Sequence, residues 1–195
     1  ASDESATGID LAAAHAIVEF LTAMGIDLAA QNMEKTPARV VEMYEYLLSG
    51  RPQDTAALWG EQFPTGSRGL VAVQHIPFYS LCEHHLVPFF GEVQLVYLPH
   101  EGMAAGFSKF SRVIGELSRR PQLQERLTRE IAETIEHDLK ADGVLVIVEA
   151  QQLCMMMRGE LAPTAKTLTT ASCGCLQTDP ALHHEAWSML MKGEE

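Results

Sequence analysis

One segment limits the folds open to this chain of 195 residues more than any other. Val144-Leu145-Val146-Ile147-Val148 is an unbroken apolar run. Because successive side chains of a strand point to opposite faces, such a run needs cover on both sides and reads as a buried strand. It follows directly on Leu123, Leu127, Ile131, Ile135 and Leu139, whose four-residue spacing predicts an amphipathic helix after Pro121. Another helix is expected over about 108–119. Strands are expected over 70–75 and 91–98, with a short one near 167–172. Strands therefore come in groups and helices in pairs, without strict alternation, which favours an α+β fold with an antiparallel sheet.

Towards the N-terminus, Asp10 reads as the cap of a helix with Ile17, Phe20, Leu21 and Met24 on its apolar side, stopped at Gly25. A second helix has Thr36 as cap and Pro37 as first residue, turns Val40, Val41, Tyr44, Leu47 and Leu48 inward and ends at Gly50. Residues 51–69, with two prolines, three glycines and few periodic apolar positions, read as a connection. A last helix is capped by Asp179 and Pro180.

The composition, 47% apolar and 21% charged, is that of a globular protein with a real core. A net charge of −12 argues against binding the phosphate backbone of nucleic acids, which needs a basic face. It leaves room for a small phosphorylated ligand, since the field that matters is local. No apolar run reaches membrane-span length and no signal peptide is evident, so the expected location is the cytoplasm. There, four cysteines are better read as ligands or packing residues than as disulfides.

The loop expected between the first two strands holds Ser80-Leu81-Cys82-Glu83-His84-His85. Cys82 and His85 form a C-x-x-H pair, a spacing that lets a thiolate and an imidazole reach one metal ion. Taken alone the pair equally suits a buried thiol beside a surface histidine. Two imidazoles and a carboxylate packed beside a thiol favour the metal. Cys154 supplies a third ligand from another strand, and three protein ligands with one open position is the catalytic zinc arrangement, in which bound water has its pKa lowered toward ~7. Cys173, Cys175, the Met155-Met156-Met157 run and His75, His183 and His184 are read as packing or surface residues.

Five motifs, in order, resemble GTP cyclohydrolase I over about Thr36 to Leu176. They are Thr36-Pro37-Ala38-Arg39, Cys82-Glu83-His84-His85, Gly106-Phe107-Ser108-Lys109-Phe110-Ser111-Arg112, Arg120-Pro121-Gln122-Leu123-Gln124-Glu125-Arg126 and Cys154-Met155-Met156-Met157-Arg158-Gly159. The resemblance implies a tunnelling fold with a packed helix pair and an N-terminal helical extension. It divides the chain into a helical region, 1–50, and a catalytic domain, 51–195. It also implies a homodecamer of stacked rings with active sites between subunits. Cys82, His85 and Cys154 would bind zinc. Glu125, with Gln124 beside it, would hold the guanine edge of GTP. Ser108, Lys109, Arg112, Arg158 and Arg39 would grip the triphosphate, and Lys166 lies near a segment that often reads Ser-Lys-Thr. The implied reaction is attack of zinc-activated water on C8 of GTP, ring opening, formate release and closure to 7,8-dihydroneopterin triphosphate, a step of pterin and tetrahydrofolate biosynthesis. His84 matches the histidine that assists near N7.

One position departs from the pattern. Where the family usually runs Glu-Ala-x-His-x-Cys, this chain has Glu149-Ala150-Gln151-Gln152-Leu153-Cys154. Glutamine donates and accepts hydrogen bonds but does not exchange a proton usefully near neutrality, and loss of a general acid or base costs on the order of 10² to 10⁴ in rate. Four readings follow: the full reaction with another group in place of the histidine, arrest at the formamide, a single deliberate alteration at 152, and a silent nucleotide-binding or scaffold protein with structural zinc. Retention of His84, Glu125 and the cationic set speaks against the last.

Overall fold

The computed structural model describes residues 8–52, 55–66, 68–157 and 164–191. The chain divides into two compact units, Ala1–Ser49 and Gly50–Glu195. In the first, α1 (Gly8–Ala23) packs on α2 (Thr36–Leu47). Asp10 lies inside α1, which starts two residues before it, so it is not the cap expected from the sequence. Gly25, at φ 80°, does end the helix: its N–H and that of Ile26 return to the carbonyls of Thr22 and Leu21. Ile17 and Leu21 are half-buried, whereas Phe20 and Met24 are 61% and 66% exposed. A single partner helix covers only a narrow stripe. In α2, Thr36 is the first helical residue and Lys35 the cap, Pro37 is buried and Leu48 is exposed.

The second unit is built on a five-stranded sheet in the order β5-β2-β3-β6-β7: β2 (Val71–Cys82), β3 (Pro88–Leu98), β5 (Pro121–Gln122), β6 (Gly143–Gln152) and β7 (Thr167–Gly174). All neighbours are antiparallel except β5 and β2. The antiparallel α+β arrangement expected from the sequence is present. Helices α4 (Phe107–Ser118) and α5 (Gln124–Leu139) cover one face, packing Phe110, Ile114, Leu127, Ile131 and Ile135 against Val93, Leu95, Val144, Val146 and Val148. On the other face, Val96, Leu145 and Ile147 meet Leu176 of α7 (Cys175–Thr178) and Ala186 and Leu190 of α8 (Pro180–Met191). The 144–148 run is apolar throughout because both of its faces are covered. Asp179 caps α8, its Oδ1 accepting from the N–H groups of Ala181 and Leu182.

Two expectations change. The segment 51–69 is more than a connection: it carries α3 (Thr55–Leu58) and β1 (Phe63–Pro64), which pairs with β4 (Met103–Ala104). It also delivers Trp59 to the core, 2% exposed, edge-on to Phe110 at 4.9 Å, its Nε1 donating to Asp138 Oδ2 at 3.0 Å. An isolated tryptophan leaves no periodic trace. Trp59→Ala is expected to cost about 3–5 kcal/mol and Trp59→Phe about 2–3 kcal/mol, because it takes the donor from the nearly buried Asp138 carboxylate, as read by urea unfolding. The second change is in β2, which runs on to Cys82, so that Ser80 and Leu81 are strand rather than loop. A bulge between Val73 and Ile76, with His75 at φ 55°, resets the alternation and hides the continuation from a period-two reading. His75 sits at this bulge and not at a strand end. Among the described residues, no helix is long and apolar enough to cross a membrane.

Candidate active site

The hairpin of β2 and β3 closes through residues 83–87. Cys82 donates its N–H to Val87 O, and its own carbonyl accepts from His85 N and Leu86 N, with Leu86 at φ 52°. This tight turn folds His85 back over Cys82, whose Sγ lies 3.9 Å from His85 Nδ1. The third ligand, the second thiol, comes from far along the chain. Antiparallel pairing of β3 with β6 sets Phe89 opposite Gln152, so the end of β6 arrives beside the hairpin turn. The single-turn helix α6 (Leu153–Met156) then presents Cys154.

The ligand atoms of Cys82, His85 and Cys154 all lie within 4.8 Å of one another, the one such group of His, Cys, Asp and Glu among the described residues. A tetrahedral zinc with Zn–S near 2.3 Å and Zn–N near 2.0–2.1 Å sets neighbouring donors about 3.5–3.8 Å apart. The donor set and its spacing therefore fit a metal ion of that kind. Cys82 is buried, Cys154 half-buried and His85 exposed, which leaves one side open to a further ligand.

The short parallel pairing of β5 with β2 puts Gln122 beside Cys82 and starts α5 at the metal site. A pocket of about 210 Å³ results, lined by Cys82, His84, Gln122, Leu123, Gln124, Glu125, Gln152, Cys154, Met155, Thr167 and Thr169. Of the residues expected to act on substrate, His84, Gln124, Glu125 and Gln152 are thus brought together with the metal ligands. Glu125 is exposed in the first turn of α5, and Glu83 pairs with Arg126 at 2.8 Å.

The other expected residues are not among those lining this pocket. Ser108, Lys109 and Arg112 stand on the first turns of α4 and do not line this pocket. Lys166 pairs with Glu149 at 2.6 Å and lines a separate depression with Tyr79 and Phe90. Arg39 is exposed in α2 of the N-terminal unit, and Arg158 lies outside the described residues. Gln124 lines the pocket with its side-chain amide buried and bonded within the chain, Nε2 donating to Val148 O and Thr167 O and Oε1 accepting from Gln152 Nε2. Sequence reading missed Gln122, Thr167 and Thr169. The two threonines, at i and i+2 of β7, share one face, a period-two signal available in the sequence.

The remaining thiols are packing groups. Cys173 lies against the main core and Cys175 against the smaller one. Burial, reinforced by Glu136, pushes the Cys173 thiol up to about 12, and burial with Asp142 raises Cys175. A raised value means that the neutral thiol prevails through neutral pH, so Cys173 is expected to resist iodoacetamide at pH 8, with a thiolate fraction of roughly 10⁻⁴. Peptide mass mapping after timed alkylation checks this. His183 is satisfied by Leu176 O at 2.8 Å.

Comparison with known proteins agrees with this geometry. The family model for GTP cyclohydrolase I matches residues 13–191. The chain is 46% identical over 180 residues to "GTP cyclohydrolase 1" of Clostridioides difficile, covering 90% of this chain and 93% of that one. It is 42% identical over 178 residues to "GTP cyclohydrolase 1" of Streptococcus agalactiae serotype Ia, covering 91% and 95%. The protein of the same name from Halalkalibacterium halodurans is 43% identical over 175 residues, covering 90% and 93%. With the family model spanning nearly the whole chain, and with the sheet, the helix pair and the Cys-His-Cys cluster in place, the chain belongs to the GTP cyclohydrolase I family.

Proposed function

We propose that this protein is a hydrolase of the GTP cyclohydrolase I type, opening the imidazole ring of GTP at C8, releasing formate and giving 7,8-dihydroneopterin triphosphate. The observation that carries the reading is the Cys82-His85-Cys154 donor set opening onto a pocket that His84 and Glu125 also line. Cys82, His85 and Cys154 would hold zinc, which would supply Lewis-acid activation of water for attack near neutral pH. Glu125 accepts from the guanine N–H groups and orients the base in the pocket. His84 exchanges a proton with N7, a task suited to an imidazole near neutrality.

A pocket of about 210 Å³ is small for a whole nucleotide. The triphosphate is therefore assigned to Ser108, Lys109, Arg112, Arg158, Arg39 and Lys166, supplied in part by neighbouring copies of a homodecamer. In support, the sheet has open edges: β5 covers only Leu81 and Cys82 of β2, and β7 ends the other side. Residues 51–195 form the catalytic domain and 1–50 a helical extension. Four free cysteines suit the reducing cytoplasm, to which we assign the protein.

Gln152 supports a second reading. It lines the pocket two residues before Cys154, and its amide cannot serve as a general acid or base. Ring opening would then outpace loss of formate, and the formamide nucleotide would accumulate. Incubation of the zinc-loaded protein with GTP, followed by mass spectrometry and formate assay, separates the outcomes. One formate per GTP and a neopterin product support the full reaction, a ring-opened formamide supports arrest, and unchanged GTP defeats both.

A further inference from the structure

Gln124 is the first residue of α5, 4% exposed, and its amide is saturated inside the chain. Nε2 donates to Val148 O and to Thr167 O, each at 3.0 Å. Oε1 accepts from Gln152 Nε2 at 2.8 Å and lies against Thr167 Oγ1, which is also 3.1 Å from Ala150 O. A side-chain amide offers two N–H groups and two acceptor sites, so these partners fill it. They also fix which way it points: reversed, its oxygen would face two carbonyl oxygens. Thr128, one turn further along α5, adds a bond from its hydroxyl to Gln124 O and shares another with Thr169 at 2.6 Å.

The cluster joins three elements at one point. Val148, Ala150 and Gln152 are alternate residues of β6, Thr167 and Thr169 belong to β7, and Gln124 begins the helix that carries Glu125. Leu123, the cap of α5, makes no side-chain capping bond, so the Gln124 side chain and its partners, together with the Glu83–Arg126 pair, tie the start of this helix to the rest of the fold. Within that set, the Gln152 bond is the one that reaches the strand end leading to Cys154.

We propose that Gln152 is a positioning residue. Its amide N–H, given to Gln124 Oε1, holds the first turn of α5, and with it Glu125, in register with the metal ligand Cys154. The donor is one that does not titrate, so this hold does not vary with pH. Only the consequence for GTP rests on the functional reading above; the hold on α5 does not.

The test uses the full, zinc-loaded chain and three variants. Gln152→Met keeps the length and removes the donor. Gln152→Asn keeps the amide but is one methylene too short to reach. Gln152→His restores an N–H of suitable reach. Hydrogen exchange at Leu127, whose N–H bonds the cap carbonyl of Leu123, and at Thr128 in the next position is followed by mass spectrometry. GTP affinity is measured by rapid filtration, before turnover consumes the nucleotide, and zinc by metal analysis. Met and Asn are expected to exchange about fivefold faster there and to bind GTP about fivefold more weakly, the effect of one lost hydrogen bond, with one zinc per chain retained and His returning both readouts to the parent. Parent-like exchange in Met and Asn, or His behaving like Met, overturns the proposal. Faster exchange in Met and Asn, with His rescue, in a protein whose parent form binds no GTP upholds the positioning role and defeats the nucleotide reading instead.

Discussion

Cys154→Ala is expected to empty the metal site and bring GTP consumption to background in a chain that still folds. Cys154 is only half-buried, on a four-residue helix at the rim of the core, so the substitution removes little packing. What it removes chemically is one of three donors. Two remaining ligands, one of them the exposed His85, are too few for the three-ligand set that holds a catalytic zinc. Zinc per chain, measured by atomic emission after dialysis, should fall from about one to near zero. Circular dichroism should be unchanged, while the thermal midpoint drops to that of the metal-stripped parent, since only the folded state binds the ion and metal binding is linked to folding. The same comparison tests the scaffold alternative: there, metal removal lowers the midpoint while GTP is untouched before and after. A Cys154→Ala protein that keeps its zinc and consumes GTP would sink the three-ligand reading altogether.

The site was legible in the sequence to the extent that its geometry is local. Cys82 and His85 meet across one tight turn, so their three-residue spacing carries the signal directly. Cys154 meets them only through the register that sets Phe89 opposite Gln152, a pairing of distant segments that no spacing encodes. Family motifs, not periodicity, joined it to the pair. The same limit explains the misreadings of the fold. The unbroken apolar run marked β6 well because both its faces are covered along it, but alternation failed in β2, where the bulge at His75 shifts the phase halfway. Trp59 and Asp138 recognise each other across the fold with no periodic trace. Polar side chains were hardest to read. Gln124 looks available to a ligand in one dimension, yet its side-chain amide is saturated by β6 and β7.

Gln152→His is expected to change the fate of GTP more than any other single substitution that keeps the metal. In the parent, the Gln152 amide donates to Gln124 Oε1 and has no group that gains or loses a proton near neutrality. An imidazole at the same place can make that bond with one ring nitrogen while the other, on the pocket side, accepts or returns a proton. The substitution therefore adds proton transfer and preserves the hold on α5. If loss of formate from the ring-opened nucleotide limits the parent, its rate should rise on the order of 10² to 10⁴, the usual worth of a positioned acid or base. Zinc content and GTP affinity should stay within a few-fold, because neither the donor set nor the bond to Gln124 is lost. Formate release set against GTP consumption reads this directly: the parent should lag, with formamide nucleotide visible by mass, and Gln152→His should release one formate for each GTP consumed. Identical ratios and rates in the two proteins would mean that another group already carries the proton, leaving position 152 with its hold on the helix alone.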